Sequence, residues 1–262
     1  MSLQAIEKEV LQLAEEFNGK FACQIVWDEE IIDYHSDERF QSASLIKIPM
    51  IVEGFRQAEA KEIYLNQPVT IRREQITGGS GVLHALSDKV FLTLEDLLTL
   101  MITVSDNTST NILIDLLGFD KINQCCRDLG LKNTVLERKM FDFKAKKEGK
   151  DNFITAADTI TSLKAIHTGS VLSKESHEKI LRVFENQQFR EKLPARMGKG
   201  VKVAGKTGGI QGVSHDAAIL RSDTQTVYAA VLTEEITSDE DSRQVMGKIG
   251  KLLYDEIMKR ES

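Results

Sequence analysis

The sequence predicts an α/β (α+β) fold: an antiparallel sheet formed by N- and C-terminal strands, flanked by helices, with an all-helical domain inserted between them. Three observations carry this expectation. Short β-rich stretches lie near the two ends of the chain, while the section from about Ser44 to Asn186 repeats apolar residues mainly at helical spacing. The last strands are joined by short polar turns rather than helical crossovers, which suits antiparallel neighbours. The expected division is a discontinuous sheet domain, 1–40 with 190–262, and a helical domain, 41–189, with the site in the cleft between them.

Taken in order, Ile6, Val10, Leu13 and Phe17 share one helical face, and that helix should end near Asn18-Gly19. Phe21–Trp27 and Ile31–Tyr34 read as two strands around the turn Asp28-Glu29-Glu30. The periodicity predicts helices over Leu94–Val104, Asn107–Leu117 and Thr155–His167, and a further one over Asp120–Leu129. After Gly198-Lys199-Gly200 the pattern predicts strands at Val201–Ala204, Ala217–Arg221 and Thr226–Thr233, then a closing amphipathic helix at about Ser242–Lys259.

With 262 residues the chain can bury a large core, and its formal charge of −6 argues against a nucleic-acid surface. The one dense basic cluster, Lys144, Lys146, Lys147 and Lys150, is interrupted by Glu148 and flanked by Asp151, as in a solvated loop. Cys23, Cys125 and Cys126 lack zinc spacing and make an odd count, so they are expected to be free buried thiols in a reducing compartment. No metal set and no cofactor is implied. No run of about 18 apolar residues occurs, so no membrane span is expected. The N-terminus lacks the apolar run of a secretion signal. The expected location is therefore cytoplasmic if the chain is whole, and outside the membrane if a signal has been removed. The chain is expected to be a monomer acting on a small molecule.

Three short motifs carry chemistry. Ser44-Leu45-Ile46-Lys47 places a hydroxyl and an amine three residues apart, on one helical face, within an apolar flank of Ala43, Ile48, Pro49 and Met50. A serine hydroxyl needs a base within hydrogen-bond reach, and a lysine serves if burial or a nearby cation lowers its pKa. Roughly one Ser-x-x-Lys is expected by chance in such a chain. Ser176-His177-Glu178-Lys179, in a polar helix, is read as that coincidence. Ser105-Asp106-Asn107 falls between two helices, where such residues also serve as caps. Its chemical reading gives Ser105 a proton relay to a leaving group, and Asn107 an amide for substrate and Lys47. Lys206-Thr207-Gly208-Gly209 follows a predicted strand. Its glycines admit close approach of a ligand backbone, and Lys206 and Thr207 offer a cation and a hydroxyl to a carboxylate.

The order and spacing of these motifs resemble the serine β-lactamase and penicillin-binding-protein superfamily, and most of all class A β-lactamases, over nearly the whole chain. Asp37-Glu38-Arg39-Phe40, the stretch from Leu94 to Gly118 and that from Lys206 to Leu220 add to the likeness. The resemblance implies a β-lactamase/transpeptidase-like fold, Ser44 as nucleophile, Lys47 as its activating partner, and Ser105 and Asn107 as the second wall. It further implies Lys206 and Thr207 on a carboxylate-binding strand, with an oxyanion hole from the backbone N–H groups of Ser44 and Gly209.

One position departs from the family. Thr134-Val135-Leu136-Glu137-Arg138-Lys139-Met140 matches a class A loop whose last residue is a glutamate that activates the deacylating water, but here it is Met140. A thioether takes no proton from water. Asp142, a re-registered Glu137, or Lys47 or Ser105 serving both half-reactions stand as the alternatives. Arg138 and Asp151 are placed to pair across the neck of this loop. His215, where the family often carries an arginine, is a candidate substrate contact, and His84 lies on a loop expected to overhang the cleft. The expected activity is acylation of Ser44 by β-lactams or related amides with slow or atypical deacylation. The alternatives are a DD-peptidase- or esterase-like enzyme, or a penicillin-binding sensor domain that does not turn over.

Overall fold

The computed structural model describes residues 3–87, 90–169 and 171–261. Helix α1 (Leu3–Glu15) buries Leu3, Ile6, Val10 and Ala14, one stripe at helical spacing. It leads into β1 (Lys20–Trp27), β2 (Glu30–Tyr34) and a two-residue β3 (Phe40–Gln41). A 3-10 turn over Ala43–Ile46 runs straight into α2 (Lys47–Glu59), whose first nine residues except Gly54 and Glu53 are apolar or the buried Lys47. The middle of the chain adds β4 (Pro68–Val69), β5 (Leu92–Thr93), α3 (Leu94–Thr103), α4 (Asn107–Leu117), α5 (Phe119–Asp128) and α6 (Phe143–Lys147). Then come β6 (Phe153–Ile154), α7 (Ala156–Thr168) and α8 (Lys174–Glu185). The chain returns through β7 (Lys202–Ile210), β8 (Val213–Arg221) and β9 (Thr226–Glu234) to a long α9 (Asp239–Glu261).

The main sheet has five strands in the order β2-β1-β9-β8-β7, every neighbouring pair antiparallel. Both ends of the chain therefore build it, as the sequence predicts. Its two faces follow from strict alternation along each strand. Cys23, Ile25 and Trp27 of β1, Ala218 and Leu220 of β8, and Val227, Ala229 and Val231 of β9 join a core with α1 and α9. Ala22 and Val26, Ala217 and Ile219, and Ala230 and Leu232 face the opposite way, into a core with α2, α3, α4 and α7. Since β7 is at the sheet edge, one side of its backbone is left for the cleft.

Two boundaries differ from expectation for physical reasons. Lys206-Thr207-Gly208 does not follow a strand but lies inside β7, where Thr207, Gly208 and Gly209 stand opposite Asp216, His215 and Ser214. Paired glycines read locally as a turn, but the ladder with β8 carries the strand through them. Helix α9 starts at Asp239, earlier than its apolar periodicity shows, because Asp239, Glu240 and Asp241 in its first turn favour a helix N-terminus without adding to the apolar stripe. The three cysteines are free and buried, and among the described residues no helix is long and apolar enough to cross a membrane.

Candidate active site

The Ala43–Ile46 turn packs on β7 and β8. Gly208 permits this contact: a Cβ there would lie 3.3 Å from both the Ala43 Cβ and the Ser44 backbone nitrogen. Ser44 is half-buried at the mouth of the cleft. One turn further, the Lys47 ammonium is wholly buried and donates to the Ser105 carbonyl at 2.8 Å, the Ser105 Oγ at 3.1 Å and the Asn107 Oδ1 at 3.0 Å. All three acceptors are neutral. Burial first, and then the charge of Lys206, hold its pKa well below the ordinary lysine value, against an opposing pull from Asp106. The apolar start of α2 thus does what its sequence suggests, making an amine that can give up its proton.

Ser105 occupies the left-handed region (φ 54°) between α3 and α4, a conformation that costs a non-glycine residue about 1–3 kcal/mol. Its neighbour Asp106 fixes the junction. One carboxylate oxygen caps α4 through the Ser109 N–H at 2.8 Å, and the other accepts the Val82 and Leu83 N–H groups at 2.7 and 2.9 Å. The middle residue of this motif is therefore a cap and a loop anchor. The strained turn brings the Ser105 Oγ within 3.1 Å of the Lys47 Nζ and 3.0 Å of the Lys206 Nζ. With both lone pairs accepting from cations, its own proton is directed elsewhere. Lys206, also wholly buried, donates its remaining contact to the Thr207 carbonyl at 2.7 Å, and burial pulls its pKa down to about 7. Asn107 is shared: its Oδ1 receives Lys47 and its Nδ2 donates to the Gly78 carbonyl at 3.0 Å.

Two hollows meet at Ser44. One, of about 500 Å³, runs beneath the loop after α5 and is lined by Ser44, Asn107, Met140, Phe141, Phe143 and Ile210, among others. The other, of about 710 Å³, passes Ser105, Thr207, Gly208 and Gly209 toward Lys192 and Arg243. Met140 thus borders the same hollow as Ser44. Asn111, one turn along α4 from Asn107, clamps it there: the Met140 N–H donates to Asn111 Oδ1 at 2.8 Å and Asn111 Nδ2 donates to the Met140 carbonyl at 3.0 Å.

The alternatives offered by the sequence separate here. Asp142 does not line either hollow; its Oδ1 caps α6 through the Ala145 N–H at 2.9 Å. Glu137 is exposed and turned to the Asp151 N–H at 3.3 Å. Arg138 and Asp151 do pair across the loop neck, with Nη2–Oδ1 at 2.7 Å. Asp151 lies on the wall of the smaller hollow, but both oxygens are engaged, Oδ1 by Arg138 and Oδ2 by Lys146 at 3.5 Å. His215 lines neither hollow. Its ring is wholly buried, with Nε2–H donating to the Gln41 carbonyl at 2.7 Å and Nδ1 accepting from the Thr233 N–H at 3.2 Å. Burial lowers its pKa to about 4, so the ring is a neutral tie between β3 and the sheet. His84 is exposed beside Arg72, Ile76 and Leu86 in a separate hollow away from Ser44. Side-chain alternation on β8 and the short turn at 83–85 settle both positions, and neither is visible in a motif.

Sequence reasoning missed Asn111, Asn152 and Lys192. Asn152 accepts the Glu137 and Arg138 N–H groups on its Oδ1, at 2.8 and 3.0 Å, and so holds the loop base. Asn111 was detectable, since its spacing from Asn107 puts both amides on one face of α4.

Fold and site together are those of a class A β-lactamase-like serine hydrolase, with Ser44 sharing a hollow with Ser105, whose hydroxyl contacts both Lys47 and Lys206. The chain belongs to the β-lactamase enzyme family, whose model matches residues 5–257. Among curated relatives, β-lactamase PSE-4 of Pseudomonas aeruginosa is 26% identical over 264 residues, covering 96% of this chain and 90% of that protein. β-Lactamase BRO-1 of Moraxella catarrhalis is 24% identical over 261 residues, covering 94% and 83%. A β-lactamase structure from Sphaerobacter thermophilus superposes with a TM-score of 0.88 at 32% identity, covering 97% of each chain. A mutant of PBP-A, solved as an acyl-enzyme complex with penicillin G, also gives 0.88, at 27% identity over 98% of this chain and 97% of that one.

Proposed function

We propose that this chain is a serine hydrolase of the class A β-lactamase type that forms an acyl-enzyme on Ser44 with β-lactams or related amides and releases the acyl group slowly. Its working cleft lies between a helical domain, 41–189, and a sheet domain, 1–40 with 190–262. The observation that carries the reading is the contact of the Ser105 hydroxyl with both buried lysines, Lys47 and Lys206, with Ser105 and Ser44 lining one hollow. That array gives a proton a path from the nucleophile to the leaving group.

In acylation, Lys47 acts in its neutral form, which requires it to release one of its three donated hydrogen bonds and turn the lone pair toward Ser44. As the Ser44 Oγ bonds to the amide carbon, its proton moves to Lys47 and the carbonyl electron pair moves onto oxygen. The N–H groups of Ser44 and Gly209 receive that oxyanion; one such donor is typically worth about 3–4 kcal/mol in the transition state. The oxyanion then collapses, the C–N bond breaks, and the leaving nitrogen takes its proton from Ser105, which is resupplied from Lys47. Lys206 and Thr207 hold a substrate carboxylate, and the second N–H of the Asn107 amide meets the acyl-side carbonyl. The aromatic wall of Phe141 and Phe143, 49% and 63% exposed with rings 5.7 Å apart, suits an apolar acyl group.

Deacylation has no carboxylate at Met140, so water must be activated by Lys47 or Ser105. That observation favours a long-lived acyl-enzyme, and with it the second reading, a penicillin-binding protein that is acylated and turns over poorly. The experiment is incubation with a fluorescent penicillin and, separately, a chromogenic cephalosporin. Persistent label on Ser44 with little colour supports the proposal. Rapid colour without retained label makes the chain an efficient β-lactamase, and no label on Ser44 overturns nucleophilic catalysis on β-lactams.

A further inference from the structure

A third buried lysine lies behind the strand that carries Gly209. Lys192 opens the 3-10 turn Leu193–Arg196, and Leu193 belongs to the core of α1 and α9. Its ammonium therefore approaches the sheet from the face opposite the Ser44 turn. Only 4% exposed, it donates to the Gly208 carbonyl at 2.8 Å and the His215 carbonyl at 3.0 Å, the two residues of one β7–β8 rung. On the neighbouring rung, Asp216 stands opposite Thr207 and accepts the Leu193 N–H on Oδ2 at 2.9 Å. The main chain beside Lys192 is thus anchored, and the ammonium is held in register with Gly208.

The Gly208 carbonyl and the Gly209 N–H belong to one planar peptide group. A cation donating to that oxygen draws electron density through the amide and makes the N–H a stronger donor, in the way that chains of hydrogen bonds polarise one another. An ammonium taken out of water carries a desolvation cost that a ladder rung by itself does not require. The Cβ-less Gly208 is pressed between this cation and the Ser44 turn, so one peptide faces charge on one side and the reacting centre on the other.

We propose that Lys192 is a positioning residue for the oxyanion hole, fixing and polarising the Gly208–Gly209 peptide so that the Gly209 N–H binds the oxyanion formed at Ser44 more strongly. This rests on the acylation reading above. Lys192 transfers no group in the reaction; its effect falls on the transition state and on the acyl-enzyme carbonyl, not on substrate binding.

The test compares the whole protein with Lys192→Met and with Lys192→Met/Asp216→Asn, the second variant removing the acid that the first leaves buried without its cation. Two readouts are taken: the single-turnover acylation rate with penicillin G, and the infrared stretch of the isotope-labelled ester carbonyl in acyl-Ser44. A modest share of one oxyanion donor predicts acylation slowed about three- to tenfold. The carbonyl stretch should move to higher frequency, while non-covalent affinity is retained. An aryl ester of phenylacetic acid, which has no carboxylate, should show the same slowing. Unchanged rate and frequency in a folded variant would overturn the proposal. So would an effect confined to the carboxylate-bearing substrate, which would make Lys192 a ligand for that group. Failure of the wild-type protein to be acylated would overturn both readings, whereas acylation insensitive to Lys192 overturns this one alone.

Discussion

Met140→Glu should convert a long-lived acyl-enzyme into one that turns over. The backbone at this position is already fixed by two hydrogen bonds with the Asn111 side chain, one donated by the Met140 N–H and one accepted by its carbonyl, so the substitution changes the group presented to the cleft without moving the loop. Methionine and glutamate are unbranched and of similar length. The new carboxylate would enter the hollow of about 500 Å³ that also holds Ser44 and Asn107. A positioned general base contributes about 10²–10⁴-fold, or roughly 3–5 kcal/mol of barrier. The aromatic wall of Phe141 and Phe143 desolvates a charge placed beside it, so the gain belongs at the lower end, about 100-fold. The assay is the half-life of fluorescent penicillin on Ser44 after excess reagent is removed, with the acylation rate measured in parallel. Acylation should stay within a few-fold of the wild type, because Lys47, Ser105 and Lys206 are untouched. A folded variant with normal acylation and an unchanged half-life would refute the assignment of slow release to the missing carboxylate.

Other consequences follow from the same geometry. Lys47→Arg keeps a cation but loses a group that can be deprotonated, so acylation should fall by about 10²–10⁴-fold in a stopped-flow measurement. Arg138→Ala leaves Asp151, 13% exposed, with the Asn152 N–H at 2.8 Å and the longer contact to Lys146 but without its close cation. Urea denaturation should show a loss of about 1–3 kcal/mol, below the full cost of breaking a buried pair. The His215 ring, with its pKa lowered from 6.5 to about 4, is neutral in the folded chain where the unfolded chain takes up a proton. More protons bind the unfolded state between those values, so stability is fully present above about pH 6.5 and falls as pH drops toward 4, by up to about 3 kcal/mol. His215→Gln should flatten that slope in urea melts at pH 7, 5.5 and 4.5.

What could be read from the residues alone divides along physical lines. The sheet, the long helices and the three motifs depend on local periodicity and on short spacings, and these survive into the structure with small shifts at the ends. The extension of β7 through Gly208 and Gly209 depends instead on pairing with β8, more distant information that a glycine-rich stretch does not display. Asp142 and Glu137 lie near Met140 in sequence, but the turn at Phe141 (φ 60°) and the α6 cap send Asp142 away from the cleft. His215 occupies a promising place along the chain, yet the two-residue alternation of β8 puts its ring on the buried face against Gln41. Lys192 shows no motif at all. Its position follows from a 3-10 turn anchored on Asp216, two elements that meet only in the folded chain.

The central claim is that Ser44 is acylated, and intact-mass spectrometry after incubation with penicillin G tests it most directly. The predicted result is one equivalent of penicilloyl adduct, mapped by proteolysis to the peptide containing Ser44 and absent from Ser44→Ala. It should persist far longer in the wild-type chain than in Met140→Glu. An unmodified mass together with no substrate hydrolysis, or an adduct that survives Ser44→Ala, would contradict it.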